Sequence, residues 1–453
     1  MSKWYETSSF YHIYPLGLLG AEPNNDGGEV RHRFPKLVPW LDHIREIGCS
    51  AIYIGPLFES ECHGYDTTDY KMVDRRLGDN EDFKNFVKEA HDRGIKIVVD
   101  GVFNHTGRSF FAFKDIQANR ENSRYQWWYK GINFGWNSAY NDGFSYESWR
   151  NCGNLVNLNL QNREVKDYLF DVIRFWIHEF DIDGIRLDCA DCLDFDFMKE
   201  MRWMTGNEKE DFWLMGEVIH GDYSRWANNE MLHSVTNYEL HKGLFSGHNS
   251  HNYFEIAHTI RREFDENGGI YRGRTLYTFA DNHDVARLPN KLEDQGHLKP
   301  IYTLVYTLPG LPSIYYGSEW GIWGRKEDGD AALRPAIDLE EIRKNPPVPG
   351  LCEFIAYLGK VRQDYPVLTY GRYRELLLTN KQYAFARLDD QEAVIVAVNN
   401  DTADADLWIR LPHNGTITEI TQGAEGTEIA PEFDQLHITL PGDSQRLFYI
   451  KRA

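Results

Sequence analysis

At 453 residues the chain can bury a large core, and its length alone suggests two or three domains. Hydrophobic residues make up 42%, too many for a disordered chain, and a net charge of −20 supplies no basic face for nucleic acid. Aromatic residues reach 14%; most pack cores, but Trp and Tyr faces also stack on sugar rings, so their clustering matters more than their total.

The opening stretch, Met1-Ser-Lys-Trp-Tyr-Glu6, has no apolar run of the signal-peptide type, so the expected location is the cytoplasm. Strand-like apolar runs follow at Phe10–Tyr14, Ala51–Ile54, Ile95–Val99 and Ile182–Leu187, then at Phe212–Gly216, Ser234–Asn237, Leu276–Phe279 and Ser313–Tyr316. Helical spacing lies between them. One such stretch is Asp82–Arg93, with Asn80 as the expected cap and Gly94 as the stop; another is Arg163–Phe180, with Val165, Leu169, Val172, Ile173 and Trp176 on one face. Eight strands alternating with helices predict a (β/α)8 TIM barrel, whose working groups sit at the C-terminal strand ends.

Two regions break the alternation. Residues 106–155 form an irregular insert after the third strand, rich in aromatics (Trp127, Trp128, Tyr129, Trp136, Trp149) that are expected to help form a cleft. After a helix at Leu351–Arg362, short alternating runs predict a C-terminal antiparallel β-sandwich. The expected division is a barrel over 1–105 and 156–368, an insert over 106–155 and a β-domain over 369–453. Ile301–Gly317 is too broken by Pro309, Gly310 and Pro312 to span a membrane. The six scattered cysteines read as reduced thiols, and Cys189-x-x-Cys192 lacks the second pair a redox or zinc motif needs.

The barrel strands are apolar until their last residues, and then switch. The third runs into Asp100-Gly-Val-Phe-Asn104-His105, the fourth into Arg186-Leu-Asp188, the fifth into Gly216-Glu217 and the seventh into His283-Asp284. Each could seal the barrel mouth as a salt bridge, but four strand ends doing so together point to one polar site, because unpaired buried charge is costly. Carboxylates and an arginine at one mouth suit glycoside hydrolysis, which needs an acid for the leaving oxygen and a carboxylate for the oxocarbenium-like carbon. Arg186 lies two residues before Asp188, on the same strand face, so Asp188 takes the anionic role.

These four strand ends resemble, in order and spacing, the four motifs of the α-amylase superfamily (glycoside hydrolase family 13), whose fold has the same three parts. The resemblance implies a retaining hydrolase of α-linked glucose chains, with Asp188 as nucleophile, Glu217 as general acid/base and Asp284 as transition-state stabiliser. It also implies substrate binding by Tyr65, His63, Asp100, His105, Arg186 and His283, with Asn104 in support. Tyr65-Asp-Thr-Thr-Asp-Tyr70 and Glu217-Val-Ile-His220 resemble the neopullulanase, cyclomaltodextrinase and maltogenic amylase group, whose extra N-terminal β-domain has no counterpart before Phe10. Ile219 stands where that group usually has Trp, and Asp191-Cys192 replace the Lys-His of many α-amylases. Small maltodextrins cleaved at α-1,4 bonds are therefore the expected substrate. A transglycosidase or a sucrose- or α-1,6-active relative shares the same carboxylates. A non-catalytic, carbohydrate-binding barrel would not need them.

The chemistry requires no cofactor. Glu22, Asn24 and Asp26 place oxygen atoms at alternate positions before a turn, which reads either as a loop for a structural Ca2+ or as an ordinary polar turn.

Overall fold

The computed structural model describes residues 3–452; Met1 and Ser2, which open the stretch read above for an export signal, lie outside it. Eight parallel strands form one sheet: β1 Phe10–Ile13, β2 Ala51–Ile54, β3 Lys96–Gly101, β4 Gly184–Leu187, β5 Trp213–Gly216, β6 Ser234–Val235, β7 Tyr277–Phe279 and β8 Leu311–Tyr315. Their order is β6-β5-β4-β3-β2-β1-β8-β7. A parallel bridge between Thr236 and Tyr277 joins the two ends and closes the barrel. All eight lie where the sequence placed them, most of them shorter by a residue or two.

Alternation along each strand separates two environments. Tyr11, Ile13, Ile52 and Ile54 point outward into the helix-covered core. Phe10, Ala51, Tyr53, Val98, Trp213, Met215, Tyr277, Phe279 and Leu311 fill the barrel interior instead. Such layers make the barrel a packed body rather than a pore. Two residues above Val98 and Gly184 the inward positions become Asp100 and Arg186, which are register partners across β3 and β4. The apolar plug thus ends where the site begins. Gly184 allows this: a Cβ there would lie 2.6 Å from the Trp213 carbonyl oxygen, so any side chain pushes β4 away from β5.

The helix at Arg163–Phe180 matches its expected bounds and buries the apolar face read from its spacing. The helix predicted over Asp82–Arg93 runs Asn80–Asp92, and its cap is Asp79, whose side chain accepts from the Asp82 amide. Asn80 accepts instead from the Val73 amide at 2.9 Å, so it ties the helix to the preceding strand. Gly94 stops the helix with φ +73°, as expected.

Between β3 and β4 the chain forms a helix at Phe111–Asn119 and several short 3-10 turns. His105–Thr106 pairs antiparallel with Val156–Asn157, which staples the base of this excursion beside the barrel mouth. After the helix Leu351–Asp364 come β9 Arg372–Leu378, β10 Gln382–Leu388, β11 Glu392–Asn399, β12 Ala405–Arg410, β13 Gly415–Glu419, β14 Glu428–Ile429, β15 Gln435–Leu440 and β16 Ser444–Arg452. Six of them form an antiparallel sheet in the order β9-β10-β11-β16-β13-β14, and β12-β15 form a ribbon. Ile395, Phe448 and Ile450 of the sheet pack with Leu407, Ile409 and Ile438 of the ribbon in a separate core, a sandwich as predicted.

Gly184→Ala should cost about 1–3 kcal/mol of stability, the usual range for overpacking a filled core. Chemical denaturation would measure it, and an unchanged midpoint would show that the β4–β5 approach tolerates a side chain.

Candidate active site

The parallel ladder carries the working carboxylates on its own hydrogen bonds. The Asp188 amide donates to the Gly101 carbonyl at 3.1 Å, and the Glu217 amide donates to the Leu187 carbonyl at 2.9 Å. Both residues sit one step beyond their strands, rigidly placed yet free to face the mouth. Cys189 then turns the chain in the left-handed region, with φ 43°. That conformation costs a non-glycine residue roughly 1–3 kcal/mol and tends to persist where it does something. Here it aims the Cys189 amide at Glu217 Oε2 (3.0 Å) and Sγ at Asp188 Oδ2 (2.8 Å).

One buried guanidinium joins the set. Arg186 Nη1 donates to Asp188 Oδ1 at 2.8 Å and to Asp100 Oδ1 at 3.0 Å, while Nη2 pairs with Glu217 Oε2 at 2.9 Å. Asp188 and Glu217 thus share one guanidinium, each on its own nitrogen. Side-chain exposure rises from 9% at Asp188 through 12% at Glu217 to 36% at Asp284, so Asp284 is the most open of the three. Arg334 Nη2 holds Asp284 Oδ1 at 2.9 Å, and His283 Nε2 lies 3.0 Å from Oδ2.

These neighbours pull the acids apart. Burial, with the charges of Asp188 and Asp284 beside it, pushes the Glu217 carboxyl up to about 8 against the opposing pull of Arg186. Burial also works against ionised Asp284, but His283, Arg334 and Arg186 outweigh it and hold that carboxyl well below the usual range. One acid kept protonated near neutral pH beside another kept ionised is the arrangement acid-assisted glycoside cleavage uses.

The cleft above them has a volume of about 660 Å³ and is lined by His63, Tyr65, His105, Asp188, Glu217 and Asp284 among others. Tyr65 and His105 therefore stand where the sequence put them. Asn104 supports His105, donating to its Nδ1 at 3.2 Å, while His105 Nε2 lies 3.1 Å from the Tyr65 carbonyl oxygen. Three of the expected substrate-binding groups lie deeper than the cleft lining. The Asp100 side chain has no exposure and is taken up by Arg186 and Tyr53. Arg186 is itself buried beneath the carboxylates. His283, 2% exposed, has Nε2 between Tyr65 Oη (2.5 Å) and Asp284 Oδ2 (3.0 Å). All three hold other residues of the site in place.

Of the aromatics in the insert, Trp149 lines the cleft. Trp128 is buried and donates to Glu164, and Trp127 and Trp136 are more than two-thirds exposed at the surface. Sequence reasoning missed Arg334, Tyr238 and the role of Cys189. Arg334 comes from the charged loop after β8, where no motif marks it.

The expected calcium loop does not fit a cation. Glu22 is taken up by a two-pronged pair with Arg33, both contacts 2.9 Å, which brings its carboxyl down to about 2. Asp26 Oδ1 accepts from the Gly28 amide, and Asn24 is exposed. The polar turn is the reading this geometry supports.

A closed (β/α)8 barrel with this carboxylate set at its mouth is the framework of a glycoside hydrolase. Residues 37–347 match the α-amylase catalytic domain and residues 378–451 the α-amylase C-terminal all-beta domain, so the chain belongs to the α-amylase family. It is 31% identical to neopullulanase 2 of Thermoactinomyces vulgaris, over 97% of this chain and 77% of that protein. It is 30% identical to the intracellular maltogenic amylase of Bacillus subtilis, over 88% of this chain and 69% of that one. Among solved structures, an Anoxybacillus α-amylase shares 26% identity with a TM-score of 0.81, covering 100% of this chain and 99% of its own. The grouping read from the motif around Tyr65 agrees with these relatives.

Glu217 can donate a proton only while protonated, so kcat/KM should fall as pH rises through about 8. Glu217→Gln should abolish that limb and lower turnover of natural glucosides by about 10²–10⁴-fold. The same limb persisting in the variant would assign it to another group.

Proposed function

We propose that this chain hydrolyses α-1,4-glucosidic bonds in malto-oligosaccharides with retention of configuration, inside the cell. In the first step Glu217 gives its proton to the glycosidic oxygen as Asp188 attacks the anomeric carbon, forming a glycosyl ester and releasing the leaving sugar. In the second, ionised Glu217 takes a proton from water, which attacks the same carbon and frees Asp188. Asp284, fixed by Arg334 and His283, grips the sugar hydroxyls, and Tyr65 stacks beneath the ring. We assign the chemistry to these side chains alone, with no metal or organic cofactor.

The observation that carries this reading is the single Arg186 guanidinium shared by Asp188 and Glu217, with Glu217 pushed up to about 8. The substrate class follows from the relatives, which are named neopullulanase and maltogenic amylase. A cleft of about 660 Å³ is of small-ligand size, which favours short oligosaccharides over granular starch. The cellular location rests on the relative named intracellular. Among the described residues no helix is long and apolar enough to cross a membrane.

The test is a time course on maltotriose, maltoheptaose, β-cyclodextrin, pullulan, isomaltose and sucrose, with Asp188→Asn as the blank. Glucose or maltose should appear from the α-1,4 substrates, first as the α-anomer by NMR, and the blank should be inactive. A first-formed β-product would refute retention. Longer products appearing early would mark transfer to sugar in place of hydrolysis, and action on sucrose or isomaltose alone would refute the substrate class.

A further inference from the structure

Beside the cleft, the loop joining the antiparallel strands Phe58–Ser60 and Thr67–Val73 carries metal-ligating groups that take no part in the proton transfers or the covalent step proposed above. Cys62 Sγ, His63 Nδ1 and an Asp66 carboxylate oxygen lie within 4.8 Å of one another. Sγ is 2.7 Å from Asp66 Oδ2, and Nδ1 is 3.8 Å from Oδ1. A thiol, an imidazole and a carboxylate are the donors of Zn2+ and similar thiophilic ions; Ca2+ and Mg2+ prefer oxygen alone.

The imidazole and the carboxylate are close to their binding forms, whereas burial and the Asp66 carboxylate hold the Cys62 thiol protonated, so an ion must displace that proton. The Tyr65 amide donates to His63 Nδ1 at 3.2 Å, so that nitrogen carries a lone pair. The Cys62 amide reaches both Asp66 oxygens, at 3.2 and 3.0 Å. Asp66 has a side-chain exposure of 0%, yet among the described residues no Lys or Arg forms an ion pair with it. A buried carboxylate without a cationic partner is costly, and a bound cation would relieve it. His63 is 37% exposed on the cleft wall, which gives an ion a way in and leaves a coordination position for water.

We propose that Cys62, His63 and Asp66 form a binding site for Zn2+ or another thiophilic divalent ion, and that the ion slows hydrolysis through the Tyr65 loop. On binding, the thiol proton passes to solvent as the metal–sulfur bond forms, with no change of oxidation state. The ion and the Tyr65 amide need the same Nδ1 lone pair, so binding releases that amide and shifts the ring at the cleft floor. The inhibition rests on Tyr65 contacting sugar, as proposed above; the binding does not.

The competing location is the His105, Asp188 and Cys189 set, which has the same mutual spacing. Chelator-stripped protein is titrated with Co2+, read by its thiolate-to-cobalt charge-transfer absorption, and then with Zn2+ in competition. The band should appear in wild type and Cys189→Ser and be absent from Cys62→Ser. Zn2+ affinity should fall more than about 100-fold in Cys62→Ser, since losing even an outer-shell partner costs about 10–100-fold. In wild-type protein, Zn2+ should shield Cys62 from alkylation, mapped by peptide mass spectrometry, a readout that no folding defect of a variant can imitate. A band that survives in Cys62→Ser, or Zn2+ that leaves Cys62 alkylation unchanged, overturns the site. Zn2+ bound at Cys62 without slowing maltotriose cleavage overturns the link to Tyr65 and leaves the hydrolase reading intact.

Discussion

The Arg186 guanidinium is the constraint on which the rest of the site depends. It lies at the level where the apolar filling of the barrel stops, and it pairs with Asp100, Asp188 and Glu217 at once. Three carboxylates in so little space would repel one another and take up protons; one fixed cation lets them differ instead. Removing one partner of a buried ion pair costs roughly 3–5 kcal/mol, so Arg186 serves folding and catalysis together. Asp100 stabilises Arg186 from below, and Tyr53 donates to Asp100 at 2.7 Å from the neighbouring strand.

Around this cation the remaining parts fix each carboxylate in turn. Asp188 has one oxygen on Arg186 and the other against the Cys189 thiol. Glu217 receives the Cys189 amide on Oε2, the oxygen that also faces Arg186. Asp284 is held from the far side by Arg334, whose Nε also donates to the His283 carbonyl at 3.1 Å. The loop after β8 thus locks the Asp284 carboxylate to the backbone of its own strand end. This division of labour explains why burial raises Glu217 while its neighbour Asp284 stays ionised.

Much of this was legible in the sequence, because strand burial and strand-end polarity are local signals. The eight apolar runs and their switch to Asp, Glu, His and Arg placed Asp188, Glu217 and Asp284 correctly, and the Arg186-x-Asp188 spacing gave their shared face. What could not be read depends on distant partners. Arg334 looks like any arginine of a charged loop until the fold brings it to Asp284, some fifty residues away in sequence. Asp100 and His283 carry the motif of sugar-binding groups, but only the packed structure shows their side chains turned onto Arg186 and Asp284. The pairing of Glu22 was hidden for the same reason: its partner, Arg33, is eleven residues on, with no pattern linking them. β13 and β14 are hard to read because each carries a single isoleucine, whereas β15, Gln435–Leu440, does alternate apolar and polar residues as a half-buried strand should.

In the proposed mechanism Asp188 forms the covalent bond while Glu217 only moves protons. The direct measurement is mass spectrometry of peptides from Glu217→Gln incubated with an α-glucosyl donor whose leaving group needs no protonation. Bond formation then proceeds without the acid, but water is no longer activated, so the intermediate accumulates. One hexosyl unit is expected on the peptide containing Asp188, absent when Asp188→Asn is added to the same chain. A hexosyl group on any other residue, or steady release of sugar with no adduct at all, would contradict it.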